Sequence, residues 1–264
     1  MLNYLSHGDP KAASILLLHG FMGSAADWGW ISGSLAEDFY CIAPDLPGHG
    51  KSTSLPDETY TMEGTAQAVV ELMEALGIQR ATIAGYSMGG RLALYLALRH
   101  PERCAGLFLE SASPGIEGTE ERAARREDDE EQAQRLESGD FDGFLRGWYR
   151  QPLFASLARR EGMVEALIEA RRSNDPLELA RSLRGMGTGS QPSSWNELED
   201  LRVPTLAVTG EIDGKFVGIA REMAERSQRI FVETIPSAGH NVRLEAPEAY
   251  LSSVRHSISR AGGG

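Results

Sequence analysis

Short apolar runs, each followed by a glycine-rich turn, are the feature of this sequence that most constrains its fold. Each run is four to seven residues long, which suits a buried strand: residues 14–18, 39–43, 81–84, 105–110, 205–209 and 229–235. Helical patterns separate the runs, as in residues 62–76, where apolar side chains recur at helical spacing ahead of Gly77. Buried strands that alternate with helices predict an α/β protein, with a mostly parallel sheet covered by helices on both faces.

The alternation is interrupted between residues 113 and 201, where no strand-like run occurs. Residues 119–138 are almost wholly polar, and two further helices are predicted at residues 163–172 and 176–186. Another helix is indicated by apolar residues at i, i+3, i+4 and i+7: Phe141, Phe144, Leu145 and Trp148.

We expect these helices to form a cap, residues 113–201, inserted before the penultimate strand. The core would then consist of residues 1–112 and 202–264. Open α/β sheets bind ligands at the carboxyl edge of the sheet, and a cap over that edge excludes water. The predicted cap therefore indicates where a ligand would bind.

The chain of 264 residues is acidic, with 26 Lys and Arg against 38 Asp and Glu and a formal net charge of −12. This excess of acid argues against nucleic acid or an anionic membrane as a partner, because both need a cationic face. The longest apolar run, residues 15–18, is far too short to span a bilayer, and residues 1–10 do not have the pattern of a signal peptide. We therefore expect a cytoplasmic protein, in which Cys41 and Cys104 are reduced, buried thiols.

Residues 85–89, Gly-Tyr-Ser-Met-Gly, match the pattern G-x-S-x-G between a predicted strand and a predicted helix. In that position the pattern forms a tight turn, where larger side chains in place of the glycines would collide with the strand and the helix. The turn holds the Ser87 hydroxyl out of the sheet at the helix N-terminus, where free N–H groups and a positive partial charge lie. Ser87 is therefore the predicted reactive side chain.

Two later strands are followed by residues that complete a set in the chain order Ser, Asp, His. Asp213 follows the fifth apolar run, and His240 follows the sixth. Because all three residues stand at the carboxyl ends of parallel strands, we expect them to converge at one edge of the sheet. His240 would take the proton of Ser87, and Asp213 would orient the imidazole and stabilise its cation. Glu211 is the alternative acid.

The first long run ends at residues 19–21, His-Gly-Phe, where an oxyanion-hole loop belongs. The backbone N–H groups of Phe21 and Met88 are predicted to face developing negative charge, with the histidine in a structural role. Residues 47–52 superficially resemble a phosphate-binding loop, but the Walker A pattern needs glycine at the position of Asp45. We interpret that segment as a structural turn.

These motifs resemble those of the α/β-hydrolase superfamily over essentially the whole chain. A narrower resemblance is to the MenH family of menaquinone biosynthesis, the 2-succinyl-6-hydroxy-2,4-cyclohexadiene-1-carboxylate synthases. It rests on residues 85–91 (GYSMGGR), 120–125 (EERAAR), 148–154 (WYRQPLF), 210–216 (GEIDGKF) and 239–241 (GHN). The resemblance implies an α/β-hydrolase fold and an enzyme that uses no cofactor and no metal.

The resemblance also implies an unusual use of the predicted triad. The reaction of the family is a 2,5-elimination that expels pyruvate from a succinylated enolpyruvyl-hydroxycyclohexene carboxylate, so the enzyme is a carbon–oxygen lyase. Ser87, deprotonated by His240, would act as a general base on a ring proton instead of attacking a carbonyl. The amides of Phe21 and Met88 would hold the charge that spreads into the neighbouring carbonyl.

The substrate implied by the resemblance is a small molecule with several carboxylates, for which arginine is the suited partner. Only three of the 26 basic residues are lysines, so arginines gathered in a pocket would allow an acidic protein to bind an anion. By position, the resemblance assigns five residues to the substrate: Arg91, Arg125 and Arg172 as carboxylate-binding arginines, and Tyr86 and Trp148 as residues that hydrogen-bond or pack.

Each of these assignments has an alternative without a role in binding. Arg91 would then be solvated or structural, Arg125 would form a surface ion pair of little energetic value, and Trp148 would belong to the core of the cap. Arg171 adjoins Arg172, so the helix register that selects between them is open.

Two other functions share these motifs. A serine esterase, thioesterase or carbon–carbon hydrolase would use Ser87 as a covalent nucleophile, and an apolar pocket would favour it over an arginine-lined one. A ligand receptor without catalytic activity would use the same fold, although an intact triad argues against it. Whether the protein is a monomer or a homo-oligomer is open.

Overall fold

Seven strands form one sheet in a computed structural model that describes residues 1–261. The strands are β1 (Tyr4–His7), β2 (Ala13–Leu18), β3 (Phe39–Pro44), β4 (Ala81–Tyr86), β5 (Cys104–Glu110), β6 (Thr205–Gly210) and β7 (Ile230–Ile235). Their order is β1-β3-β2-β4-β5-β6-β7, with β1 antiparallel to β3 and every other pair parallel. The predicted fold class, α/β with a mostly parallel sheet, is confirmed.

The part of the chain that the structure describes contains ten α-helices, several of them joined by short 3-10 turns. They are α1 (Gly29–Leu35), α2 (Met62–Ala75), α3 (Met88–Arg99), α4 (Thr119–Glu137), α5 (Phe141–Tyr149), α6 (Met163–Arg171), α7 (Pro176–Met186), α8 (Gly214–Arg226), α9 (Val242–Glu245) and α10 (Pro247–Ala261). No helix within residues 1–261 combines the length and the apolar character needed to cross a bilayer.

The sheet is covered on both faces because successive side chains of a strand point to opposite sides. In β2, Leu16 and Leu18 belong to an apolar cluster with α2 and α3. Ile15 and Leu17 belong to a second cluster, with α1 and α10 on the other face. Burial on both faces explains why the strands are continuous apolar runs in the sequence.

The helices α4–α7 lie between β5 and β6 in the chain, within the segment 113–201, all of which is described and none of which is a strand. A third apolar cluster joins these four helices to one another and to Met22 in the loop after β2. Ion pairs add to it, since Arg184 of α7 contacts both Glu130 and Glu137 of α4. The division of the chain into core and cap stays a prediction, and its residues 262–264 lie outside the described part.

The sequence patterns do not predict β1. Most of its residues are exposed, and it pairs with β3 at the edge of the sheet, with Tyr4 opposite Pro44. An edge strand of this kind buries little apolar surface. It therefore leaves no apolar run by which the sequence would reveal it.

Candidate active site

The turn that carries Ser87 is tightly constrained. Ser87 has φ of 49° and ψ of −108°, a conformation that is strained for any residue with a side chain. A Cβ on Gly85 would lie 2.3 Å from the carbonyl oxygen of Gly89, and a Cβ on Gly89 would lie 2.2 Å from that of Leu18. The N–H of Ser87 donates to the carbonyl of Glu110 at 2.9 Å. The two glycines thus allow the close approach that places Ser87 at the N-terminus of α3.

A chain of hydrogen bonds joins Ser87 to His240 and Asp213. The Nε2 atom of His240 lies 3.3 Å from the Ser87 Oγ, and its Nδ1 lies 2.7 Å from the Asp213 Oδ2. Asp213 is held as the N-cap of α8, where its Oδ1 accepts from the N–H of Phe216 at 3.5 Å. With a proton on Nδ1 facing the carboxylate, Nε2 accepts the proton of Ser87. The arrangement therefore suits transfer of a proton from Ser87 to His240.

Aromatic rings surround this histidine. The ring centroids of Phe216, Tyr86 and Phe154 lie 4.6, 5.5 and 6.1 Å from that of His240. Only 2% of the His240 side chain is exposed. These rings restrict the orientation of the imidazole and keep bulk water away from it.

Glu211, the alternative acid, lies apart from the histidine. It is exposed, and its carboxylate accepts from the N–H of Ser237 at 3.1 Å. The carboxylate that the structure brings to His240 is that of Asp213.

His19 holds the loop after β2 in place. The N–H of Leu46 donates to the Nε2 of His19 at 2.9 Å, so Nδ1 carries the proton and donates to the carbonyl of Gly20 at 2.8 Å. Burial lowers the pKa of His19, which favours this neutral form. Phe21 of this loop and Met88 of α3 both line the cavity into which Ser87 opens, which is described below. Their role as oxyanion donors stays a prediction.

A buried ion pair lies beneath the turn, and the sequence patterns did not reveal it. Arg243 lies in α9, three residues after His240. Its Nη1 lies 3.3 Å from the Oε2 of Glu110, and its backbone N–H donates to Oε1 at 3.0 Å. Its guanidinium carbon lies 4.0 Å from the ring centroid of Tyr86 and 4.9 Å from that of Trp28. Burial raises the pKa of Glu110, and the guanidinium opposes that rise. The partners are 133 positions apart, so no spacing rule connects them.

Ser87 and His240 open into a cavity of about 810 Å³, which has room for a small organic molecule. Its walls come from the edge of the sheet and from the helices of the segment 113–201. Apolar side chains contribute much of the lining, among them Phe154, Leu183 and Trp195. Four of the five residues predicted to bind substrate also line it: Tyr86, Arg91, Arg125 and Trp148.

Arg91 and Arg125 differ in their surroundings. Arg91 is buried, and its Nη1 donates to the Oε1 of Gln191. No carboxylate of the described residues lies within ion-pair distance of Arg91. Burial and the neighbouring Arg125 lower the pKa of Arg91 to about 10, so it remains a cation at neutral pH. The side chain of Arg125 is 38% exposed, and its Nε lies 2.7 Å from the Oδ1 of Asp129.

The structure does not bring Arg172 to the cavity. Arg172 is exposed and forms ion pairs with Asp142, at 2.7 Å, and with Glu169. Its neighbour Arg171 faces the interior, where it binds both carboxylate oxygens of Asp27 at 2.6 and 2.7 Å. Both arginines belong to the described chain, and neither lines the cavity. The register of α6 buries the first arginine and exposes the second, so the predicted carboxylate contact of Arg172 has no support in the geometry.

The structure reveals residues at the cavity that the sequence patterns did not select. Ser111 lines it: this residue follows β5 with φ of 48°, and its buried hydroxyl has no hydrogen-bond partner among the described residues. Gln191 contacts Arg91 of the cavity wall, and this contact joins a loop of the inserted segment to α3. Lone polar residues in loops carry no periodic signal, so only the folded chain reveals them.

The two cysteines are buried free thiols, as predicted. Burial raises the pKa of Cys41 to about 11 and that of Cys104 to about 12, which keeps both protonated at neutral pH. Within residues 1–261, no group of three or more His, Cys, Asp or Glu is placed to hold a metal ion.

Comparison with known proteins adds to this geometry. A family model described as the alpha/beta hydrolase fold matches residues 13–247. The 2-succinyl-6-hydroxy-2,4-cyclohexadiene-1-carboxylate synthase of Enterobacter sp. (strain 638) is 33% identical to this chain, covering 92% of it and 90% of the relative. The enzyme of the same name from Serratia proteamaculans (strain 568) is 30% identical and covers 98% of each chain.

Solved structures agree with these relatives. MenH from S. aureus superposes with a TM-score of 0.94 at 30% identity, covering 100% of both chains. A thermophilic esterase from Thermogutta terrifontis superposes with a TM-score of 0.86 at 25% identity, covering 98% of this chain and 93% of the esterase. This chain therefore belongs to the α/β-hydrolase fold family and, within it, to the MenH family of 2-succinyl-6-hydroxy-2,4-cyclohexadiene-1-carboxylate synthases.

Proposed function

We propose that this enzyme is a lyase of menaquinone biosynthesis. It expels pyruvate from the succinylated enolpyruvyl-hydroxycyclohexene carboxylate by 2,5-elimination and forms 2-succinyl-6-hydroxy-2,4-cyclohexadiene-1-carboxylate. One observation carries the proposal: the relay from Ser87 to His240 and Asp213 opens into a cavity that holds the buried cation Arg91. Relatives at 30% and 33% identity bear the name of this activity.

In this reaction Ser87 is a general base. As its hydroxyl proton moves to the Nε2 of His240, the Ser87 oxygen takes a ring proton next to the succinyl carbonyl. The electron pair of that C–H bond shifts through the ring and breaks the C–O bond to the enolpyruvyl group. The leaving group departs as the enolate of pyruvate and takes the proton held by His240, which gives pyruvate and restores the neutral imidazole. Asp213 stabilises the imidazolium that forms on the way.

The negative charge that develops on the succinyl carbonyl needs hydrogen-bond donors. The backbone N–H groups of Phe21 and Met88 fill this role, and both residues line the cavity beside Ser87. Met88 is the first residue of α3, so the positive end of the helix dipole acts at the same place. The donors belong to the backbone, so they lose little freedom as the charge develops.

The carboxylates of the substrate bind to Arg91 and Arg125, while Tyr86 and Trp148 pack against the ring or hydrogen-bond to it. Arg91 is the stronger of the two anchors, because it is buried and forms no ion pair with a carboxylate of the described chain. The segment 113–201 supplies Arg125 and Trp148 to the cavity wall and acts as the cap that excludes water. The substrate is a small anion, and the reaction takes place in the cytoplasm.

The direct test is release of pyruvate, measured by coupling to lactate dehydrogenase and oxidation of NADH. The wild type should release pyruvate from the succinylated precursor, and Ser87→Ala should not. Failure of the wild type to release pyruvate above the uncatalysed rate would contradict the proposal.

Ester hydrolysis is the alternative, since the turn and the relay equally suit a covalent nucleophile. It is tested with p-nitrophenyl acetate and p-nitrophenyl butyrate. We expect slow turnover and no burst of p-nitrophenol, because a neutral ester makes no use of the guanidinium groups of Arg91 and Arg125. Turnover of these esters far above pyruvate release, with a trapped acyl group on Ser87, would favour the hydrolase.

A further inference from the structure

Arg91 lines the cavity and forms a buried pair with Gln191. Arg91 is 9% exposed and Gln191 is 2% exposed, and the Arg91 Nη1 donates to the Gln191 Oε1. Arg91 comes from α3, one helical turn after Ser87, whereas Gln191 comes from the loop after α7. The N–H of Gln191 donates to the carbonyl of Gly187 at 3.0 Å, which fixes the loop. The contact therefore joins the sheet edge to the inserted segment.

Other buried arginines of this protein have a carboxylate as partner. Arg243 lies 3.3 Å from Glu110, and Arg171 lies 2.6 Å from Asp27. In both cases the protein itself neutralises the charge. At Arg91 a neutral amide occupies the position of the acid, and no carboxylate within residues 1–261 lies at ion-pair distance. The amide satisfies one guanidinium N–H without pairing the charge, and Asp129, which also acts on Arg91, is itself paired with Arg125.

We propose that Gln191 is a specificity-determining positioning residue, whose neutral amide orients Arg91 and keeps its charge available to a carboxylate of the substrate. The inference rests on the proposed function, since it takes the ligand to be an anion. Glutamine and glutamate have nearly the same shape, so the difference between them at this position is one of charge. A glutamate would pair with Arg91 and compete with the substrate for it.

The absence of a protein carboxylate also has a cost. A buried cation without a directly paired carboxylate destabilises the free protein, because burial removes its hydration and the more distant Asp129 offsets this loss only in part. An anion that binds beside Arg91 supplies the missing charge. The pair thus favours anions over neutral molecules of similar shape, whereas an ester hydrolase with a neutral substrate would gain nothing from it.

The test is Gln191→Glu, with Gln151→Glu as the matched control. Gln151 also lines the cavity but is exposed, so the control adds the same charge away from Arg91. For Gln191→Glu we expect KM for the precursor to rise at least about 30-fold, with kcat changed less than about threefold. The control should raise KM by no more than about threefold, because its added charge is screened by solvent.

A second readout does not depend on turnover. Trp148 and Trp195 line the cavity, so quenching of tryptophan fluorescence reports binding of benzene-1,2-dicarboxylate. Its Kd should rise in parallel with KM in Gln191→Glu, while the melting temperature stays equal or rises because a buried ion pair has formed. If the wild type released no pyruvate, the proposed function would be wrong. The titration would still test whether Gln191 keeps the charge of Arg91 available to an anion.

A second variant, Gln191→Met, removes the hydrogen bond without adding charge. We expect its KM and Kd to stay within about fivefold of the wild type, the effect of a single neutral hydrogen bond. The proposal is overturned if Gln191→Glu binds benzene-1,2-dicarboxylate as tightly as the control Gln151→Glu does. It is also overturned if Gln191→Met binds this ligand as weakly as Gln191→Glu does. If Gln191→Glu fails to fold, Gln191→Met tests the proposal by itself. A rise of about 30-fold or more in its KM and Kd would refute the role of charge.

Discussion

The sheet edge and the inserted helices place their functional side chains in different ways. At the sheet edge, the backbone sets the positions of the side chains. Ser87 is held by a strained turn between two glycines, and Asp213 is held as a helix N-cap. In the inserted segment, the positions of the side chains are set by their hydrogen-bonding and ion-pair partners. Arg125 is held by Asp129 one helical turn away, and Arg171 is held by Asp27 from the core. Positions set by the backbone follow local rules, whereas a position set by a side-chain partner depends on where that partner lies, four residues away for Arg125 but 144 residues away for Arg171.

The largest effect is expected at the sheet edge. Ser87→Ala should lower kcat by about 10⁴-fold, because the group that takes the ring proton is removed. The assay is pyruvate release, and circular dichroism checks the fold. Ser253→Ala, which alters a buried serine of α10, is the control and should keep kcat near that of the wild type. Residual activity of Ser87→Ala within tenfold of the wild type would place the base elsewhere.

The adjoining arginines of α6 test the second half of the comparison. Arg171→Met leaves the Asp27 carboxylate buried without its partner and should lower the free energy of unfolding by about 3 kcal/mol. Arg172→Met removes only exposed ion pairs and should lower it by less than about 0.5 kcal/mol. Urea denaturation measures both. Equal losses of unfolding free energy in the two variants would mean that the contact with Asp27 does not hold Arg171 in place.

Arg91 should matter most among the cavity arginines. We expect Arg91→Met to lower kcat/KM about 100-fold, since the substrate carboxylate would then be buried without a cation. Most of the loss should appear in KM, as measured by pyruvate release. A loss smaller than that of Arg125→Met would contradict the assignment of Arg91 as the main anchor.

Arg125→Met should have a smaller effect, about fivefold to tenfold in kcat/KM, because the guanidinium is partly exposed and shared with Asp129. Arg172→Met provides the control outside the cavity and should leave kcat/KM unchanged. An equal loss in the two variants would show that the cavity position of Arg125 is irrelevant to binding.

Acidification gives the smallest expected effect. Burial by itself would raise the pKa of Asp27, but the Arg171 guanidinium outweighs it and holds that pKa below its usual value. The stability from this pair is present above the unfolded pKa of about 3.9 and is lost as the pH falls through the folded value. Without the guanidinium, burial raises the pKa of Asp27, so Arg171→Met should regain about 1 kcal/mol relative to the wild type between pH 7 and pH 4. A constant difference between the two proteins across this range would exclude an ionised Asp27 as the cause.

Much of the fold follows from patterns within short stretches. Strands buried on both faces must be continuous apolar runs, so β2 through β7 are visible in the sequence, whereas the exposed edge strand β1 is not. The turn at Ser87 is also visible in the sequence. A Cβ on either flanking glycine would lie 2.2 or 2.3 Å from a backbone carbonyl oxygen, so both positions require glycine and the motif can be recognised.

The sequence by itself determined the strands β2 to β7, the turn at Ser87 and the residues that meet there, because apolar runs and glycine-rich turns are patterns within a few residues. Only the tertiary structure decided that Arg171 is buried and Arg172 exposed, that Gln191 contacts Arg91, and that Arg243 lies against Glu110. The physical reason is that the partner of a buried charge is whichever group packing brings near. The partners of Arg91 and Arg243 lie 100 and 133 residues away in the chain, where no local pattern reaches.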